Sequence, residues 1–249
     1  MHNAAIQAPR KPSNAFGSYP YFMEGNNKAI QSKDDVQAKL AEALHGLGRD
    51  SLASNLQKCG TKPDGDYGFA TFRCDTKYCH RCRQRKIAKY SKIITPLVGS
   101  GSKLHLMTLG VAESKQQDWS YVKQACDMRS RLLNLAPFKD VHGALCSIEI
   151  SVTEAKYFTH MHVLYLGDLT PSRGKSPEAK ITAWQSKNFN HSHYDDRPLG
   201  NSSEDLRRTL SYLYKGFKDS EFPLEAIQPY VEATLSTRMV TPRGCFRNV

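Results

Sequence analysis

Residues 143 to 166 read GALCSIEISVTEAKYFTHMHVLYL. Two runs rich in branched and aromatic residues flank a short polar Glu154-Ala-Lys segment, which is the pattern of two β-strands rather than of a helix. The connection is short enough for a hairpin, so the strands are neighbours in one antiparallel sheet. Successive side chains of a strand alternate between faces. His160 and His162 therefore share a face, and Met161 takes the other. Glu149 precedes His160 by 11 positions. Cross-strand partners around a two-residue turn have an odd separation, so Glu149 can look to the same face. Two imidazoles and a carboxylate about 5 Å apart across strands leave open metal positions and suit Mg²⁺ or Mn²⁺ acting on a phosphate. A carboxylate among apolar neighbours is also costly without a partner. The same spacing recurs at His191-Ser-His193, but inside the polar stretch NFNHSHYDD. That pair is assigned to a surface loop and to no ligand role.

The hairpin belongs to a longer series. LHLMTLGV, residues 104 to 111, reads as a buried strand, and residues 118 to 135 as an amphipathic helix. Residues 175 to 188 and 203 to 218 are helical, with a short strand between them. The resulting order β, α, β, β, α, β, α predicts an α+β fold, one antiparallel sheet with helices packed on it. Upstream, Val36, Leu40, Ala43 and Leu44 form a helical stripe that Ser32 or Asp34 can cap. Residues 1 to 32 lack periodicity and predict a mobile arm. Residues 33 to 95 are expected to form a helical, Cys-rich and basic region, and residues 96 to 249 the sheet core.

Four of the seven cysteines are spaced Cys59-x14-Cys74-x4-Cys79-x2-Cys82. An odd cysteine count and an N-terminus without an apolar core argue against a secreted disulfide scaffold. Four thiolates at this spacing predict a structural Zn²⁺, with no open position for catalysis. His80 is a conceivable substitute ligand but lies inside the knuckle. Arg81, Arg83, Arg85, Lys86, Lys89 and Lys92 follow at once, and the chain carries a formal net charge of +11. Both point to phosphate contacts and a nucleic-acid partner. No apolar stretch has the roughly 20 residues of a membrane span, so no membrane partner and a cytoplasmic location are expected.

Near the C-terminus, LSYLYKGF places Tyr212 and Lys215 three positions apart, on one face of a helix. A tyrosine beside a cation and a metal-bound phosphate can act as a nucleophile. Tyr214 is read as packing.

In this order the strand LMTLGV, GALCSIEIS, FTHMHVLYLG, SYLYKGF, the Cys-rich segment through Tyr78-Cys79-His80-Arg81-Cys82 and the tail MVTPRGCFRN resemble the rolling-circle replication initiators of small bacterial plasmids, Rep proteins of the HUH endonuclease superfamily. The resemblance covers about residues 58 to 249. It implies a ferredoxin- or RRM-like HUH nuclease sheet preceded by a zinc-binding segment. His160, His162 and Glu149 would be the metal ligands, Tyr212 the nucleophile, Lys215 its accompanying lysine and Thr108 a structural residue of the first strand. The implied reaction is nicking of single-stranded or hairpin DNA at a plasmid origin through a 5′-phosphotyrosine, with a host helicase and polymerase as partners. Where some family members carry a glutamate one turn before the tyrosine, this chain has Arg208, with Glu204 and Asp205 about two turns back. The alternatives are a rolling-circle transposase or relaxase with the same chemistry, and a zinc-containing DNA-binding regulator without catalysis.

Overall fold

The computed structural model describes residues 33–61, 72–115, 118–153, 156–200, 202–215 and 226–247. The predicted arm and Ser32 lie outside them. Two helices open the described chain, α1 (Lys33–Gly46) and α2 (Asp50–Lys58), followed by α3 (His80–Gly99). Then come β1 (Leu104–Ser114), α4 (Ser120–Leu133), β2 (Gly143–Thr153), β3 (Lys156–Leu166), α5 (Pro177–Asn188), β4 (Tyr194–Pro198) and α6 (Ser203–Leu213). The last elements are α7 (Ile227–Thr234) and β5 (Val240–Gly244). The protein is thus α+β, as its sequence predicts; α7 and β5 were not foreseen. The expected division at residues 95 and 96 falls inside α3.

Among the described residues all strand pairs are antiparallel, in the order β4-β1-β3-β2-β5. The predicted hairpin is β2–β3, paired as far as Thr153 and Lys156. The longest strands lie in the middle. The edges β4 and β5 have five residues each, contain Pro198 and Pro242, and carry charged side chains. Short, charged, proline-bearing edges do not recruit further strands.

Alternation divides the sheet. From β3, Met161, Val163 and Tyr165 enter a core shared with α1, α2, α4 and α7. Leu164 and Leu166 point the other way and pack with Leu104, Leu106 and Leu145 beneath Ile87 and Ile94 of α3 and Leu206, Leu210 and Leu213 of α6. The sheet is therefore covered on both faces, the three-layer solution for strands apolar on both sides. On the α3–α6 face, β3 runs Leu166, Leu164, His162, His160. The strand thus passes from packed core to polar site along one row of side chains. Among the described residues, no helix is long and apolar enough to cross a membrane.

Candidate active site and metal centres

Cys59, Cys74, Cys79 and Cys82 converge. Their sulfur atoms all lie within 4.8 Å of one another, with Cys59–Cys82 at 3.5 Å and Cys74–Cys82 at 3.6 Å. Cys59 ends α2 and Cys79 caps α3, so the group ties both helices to the intervening loop. Burial pushes Cys79 and Cys82 up, the latter to about 11. For Cys59 burial acts in the same direction but is outweighed by a backbone hydrogen bond from Cys74 and by the neighbouring thiols, which hold it below the ordinary value. This group could hold a metal ion, and four sulfurs in this arrangement are compatible with structural zinc. His80 is not part of it. Arg81 is engaged here too. It donates to the Cys59 carbonyl and lies over Gly60, where any Cβ would collide with it at 2.2 Å. This residue, foreseen as a DNA contact, therefore buttresses the cysteine loop.

The second group is assembled from β1, β2, β3 and α6. Glu149 pairs directly with His160 across the hairpin, as parity predicts, and Thr108 of β1 pairs with His162. Glu149 is 6% and His162 1% exposed, so the carboxylate is not on a solvated face. His162 Nδ1 lies 3.0 Å from Thr108 Oγ1 and Nε2 lies 2.9 Å from Glu149 Oε2. Tyr212 completes the group: its hydroxyl donates to Glu149 Oε2 at 2.6 Å and stands 3.2 Å from His162 Nε2. The Tyr212 ring meets the His162 ring edge-on at 4.8 Å. Burial alone would raise Glu149, but the hydrogen bonds from His162 and Tyr212 and the charge of Lys215 hold it below the usual carboxylate value. Burial and the neighbouring His162 hold His160 down to about 4, so this ring is neutral near pH 7.

The surroundings of Tyr212 differ in part from the sequence reading. Helix α6 ends at Leu213, so Lys215 does not share a helical face with Tyr212; it follows in a turn closed by its N–H on the Tyr212 carbonyl at 3.1 Å. Asp205 does not approach the tyrosine: its carboxylate accepts from Ser202, the N-cap of α6. Arg208 pairs with Glu204 at 3.0 Å. Tyr214 packs against Tyr90 with ring centres 5.8 Å apart, and burial raises its hydroxyl pKa, as befits a packing residue.

His191 and His193 lie in the loop between α5 and β4, as the sequence reading has it, and that loop brings them beside the histidine face. Both rings lie 6.2 Å from that of His160. Nothing in NFNHSHYDD signals this, because the placement depends on a register shift in β1 between Gly110 and Ala112. Ser147 was also missed. It stands opposite His162, 1% exposed, and its hydroxyl has no hydrogen-bond partner among the described residues.

Arg83, Arg85, Lys86 and Lys89 line a cleft of about 720 Å³ together with Lys215 and Arg238. Arg83 also donates to the Lys215 carbonyl at 2.5 Å, so the basic helix is tied to the segment just after Tyr212. No protein-family model matches this chain, and no curated protein or solved structure does either.

Proposed function

We propose that the protein is a single-strand DNA endonuclease of the HUH type, with Tyr212 as nucleophile, and that it initiates rolling-circle replication of a plasmid in the bacterial cytoplasm. The carrying observation is the position of the Tyr212 hydroxyl, 2.6 Å from the Glu149 carboxylate and 3.2 Å from His162 Nε2. These residues lie up to 63 positions apart in the chain. A tyrosine retained for packing has no need of a buried carboxylate and imidazole at its hydroxyl.

The chemistry follows from the contacts. The phenolic oxygen attacks the scissile phosphorus, forming a tyrosine O–P bond and breaking the bond to the 3′-oxygen. Glu149 Oε2 is within reach to accept the phenolic proton, and His162, held by Thr108, shares it. The 3′-oxygen leaves, takes up a proton and becomes a primer end, while the 5′-phosphate stays on Tyr212. Glu149, His160 and His162 are a suitable donor set for Mg²⁺ or Mn²⁺, which would neutralise charge developing on the phosphate oxygens. Lys215 adds positive charge at the same point. Cys59, Cys74, Cys79 and Cys82 would hold a Zn²⁺ that fixes the basic start of α3, and the cleft of Arg83, Arg85, Lys86 and Lys89 takes the phosphates of the strand.

Incubation of the full chain with single-stranded DNA from the region flanking its gene, in Mn²⁺ or Mg²⁺, tests this reading. An SDS-stable protein–DNA adduct is expected, absent in Tyr212→Phe and in the His160→Ala, His162→Ala double variant. DNA binding without an adduct in any form, over a panel of flanking sequences, would instead favour the non-catalytic zinc regulator.

A further inference from the structure

The loop carrying His191 and His193 is built into the sheet face by four separate features. Gln185 of α5 is 1% exposed, and its side-chain amide is within hydrogen-bond range of three carbonyl oxygens: Gly110 at 2.9 Å, His191 at 3.1 Å and His193 at 2.7 Å. The Gly110 N–H in turn donates to the His193 carbonyl at 2.7 Å. The bulge after Gly110 turns the Val111 carbonyl toward the Asn190 N–H, 3.3 Å away. Gly110 itself is required, because a Cβ there would stand 2.1 Å from Cδ2 of His191. A loop that merely crossed the surface would need none of these devices.

Their joint effect is a triangle of imidazoles. The His160–His191, His160–His193 and His191–His193 ring centres are 6.2, 6.2 and 6.3 Å apart, and the His162 ring lies 6.0 Å from His160 on the other side. An imidazole nitrogen about 2.1 Å from a divalent ion puts its ring centre about 3.2 Å from that ion, so ligating rings stand about 4.5 to 5.5 Å apart. The ring centres stand about 1 Å wider apart than in such a ligated set, and binding would require the three side chains to turn their nitrogens toward a common point. His160 and His191 are partly buried and His193 is exposed, so the group opens to solvent on one side. His191 Nδ1 lies 4.0 Å from Glu113 Oε2, a charged neighbour beyond hydrogen-bond range, and the other Glu113 oxygen pairs with Lys156.

We propose that His160, His191 and His193 hold an ion of their own at this end of the face, an imidazole-rich site for a borderline transition metal such as Zn²⁺, Co²⁺ or Ni²⁺ rather than for Mg²⁺. Nitrogen donors select these ions, whereas Mg²⁺ prefers oxygen. The inference stands apart from the nicking reading.

Co²⁺ titration of the metal-stripped full chain is the test, read by absorbance and by metal content after gel filtration. The four-cysteine group gives a sulfur-to-cobalt charge-transfer band in the near ultraviolet; an imidazole site gives only the weaker visible bands. Wild type should bind two equivalents, the second without the sulfur band and not displaced by excess Mg²⁺. In the His191→Ala, His193→Ala double variant the second equivalent should weaken at least tenfold while the sulfur band persists. A second equivalent unchanged in the double variant, but lost in Glu149→Ala with His162→Ala, overturns the inference and leaves the nicking ion intact. A single equivalent in wild type also overturns it, and the adduct assay in Mg²⁺ or Mn²⁺ then judges the nicking reading separately. Second-site binding without an adduct under any condition supports the inference and removes the nicking reading.

Discussion

The cysteine group and the histidine face are both candidate metal centres, and they differ in how they are made. The four cysteines lie within 24 consecutive residues, and their sulfurs already converge within 4.8 Å. On the sheet face, Glu149 and His162 are drawn to each other and to Tyr212, while His160 sits one pleat away toward His191 and His193. Among the described residues, no set of three donors on that face converges as the cysteines do. A closed four-thiolate group holds local chain together and excludes substrate; an open face mounted on a sheet leaves positions for a phosphate. The first arrangement is of the kind that supports a fold, and the second leaves room for a ligand.

That contrast breaks if removing the cysteine group leaves the fold unchanged. Cys79→Ser should give the largest effect, since structural zinc contributes about 10–16 kcal/mol of apparent binding energy in small zinc modules. Loss of the cooperative thermal transition, or a strongly lowered midpoint reproduced in wild type by a chelator, is expected by circular dichroism. Glu149→Gln keeps the side-chain shape and should barely move the melting curve. It should slow adduct formation about 10²- to 10⁴-fold, the usual weight of a general base. If it unfolds the protein instead, the carboxylate is structural and the contrast fails.

Thr108→Val sharpens the comparison. The variant leaves His162 Nδ1 without its 3.0 Å partner. Loss of such a supporting bond should cost about 10- to 100-fold in metal affinity or activity and only about 1 kcal/mol in stability by urea denaturation. The smallest effect belongs to the cleft. Lys89→Ala should weaken DNA binding about equally for all sequences and lower the salt slope of log K by about one phosphate contact, measured by fluorescence anisotropy. A sequence-dependent loss would make Lys89 a base reader instead.

The sheet, the whole cysteine group and most residues of the histidine face were legible in the chain. Alternation placed His160 and His162 on one face, and the odd separation across a two-residue turn added Glu149; the observed register pairs Glu149 with His160. Cysteine spacing predicted a group whose sulfurs converge. These inferences worked because strand parity and short cysteine spacings are local properties. The end of α6 was misread because Tyr214 and Lys215 continue the helical pattern in sequence while the chain turns after Leu213. Strand β5 was missed because a five-residue edge segment with Pro242 has little pattern of its own.

By itself the sequence determined which side chains share a strand face, which cysteines lie close enough to meet, and the excess of positive charge on α3. Only the tertiary structure decided that Tyr212 reaches Glu149 and His162, because that contact depends on how Leu206, Leu210 and Leu213 seat α6 on the sheet. It also decided that His191 and His193 stand beside His160. A bulge, one glycine and a buried glutamine amide control that approach, and each acts through backbone geometry that no local pattern of residues encodes.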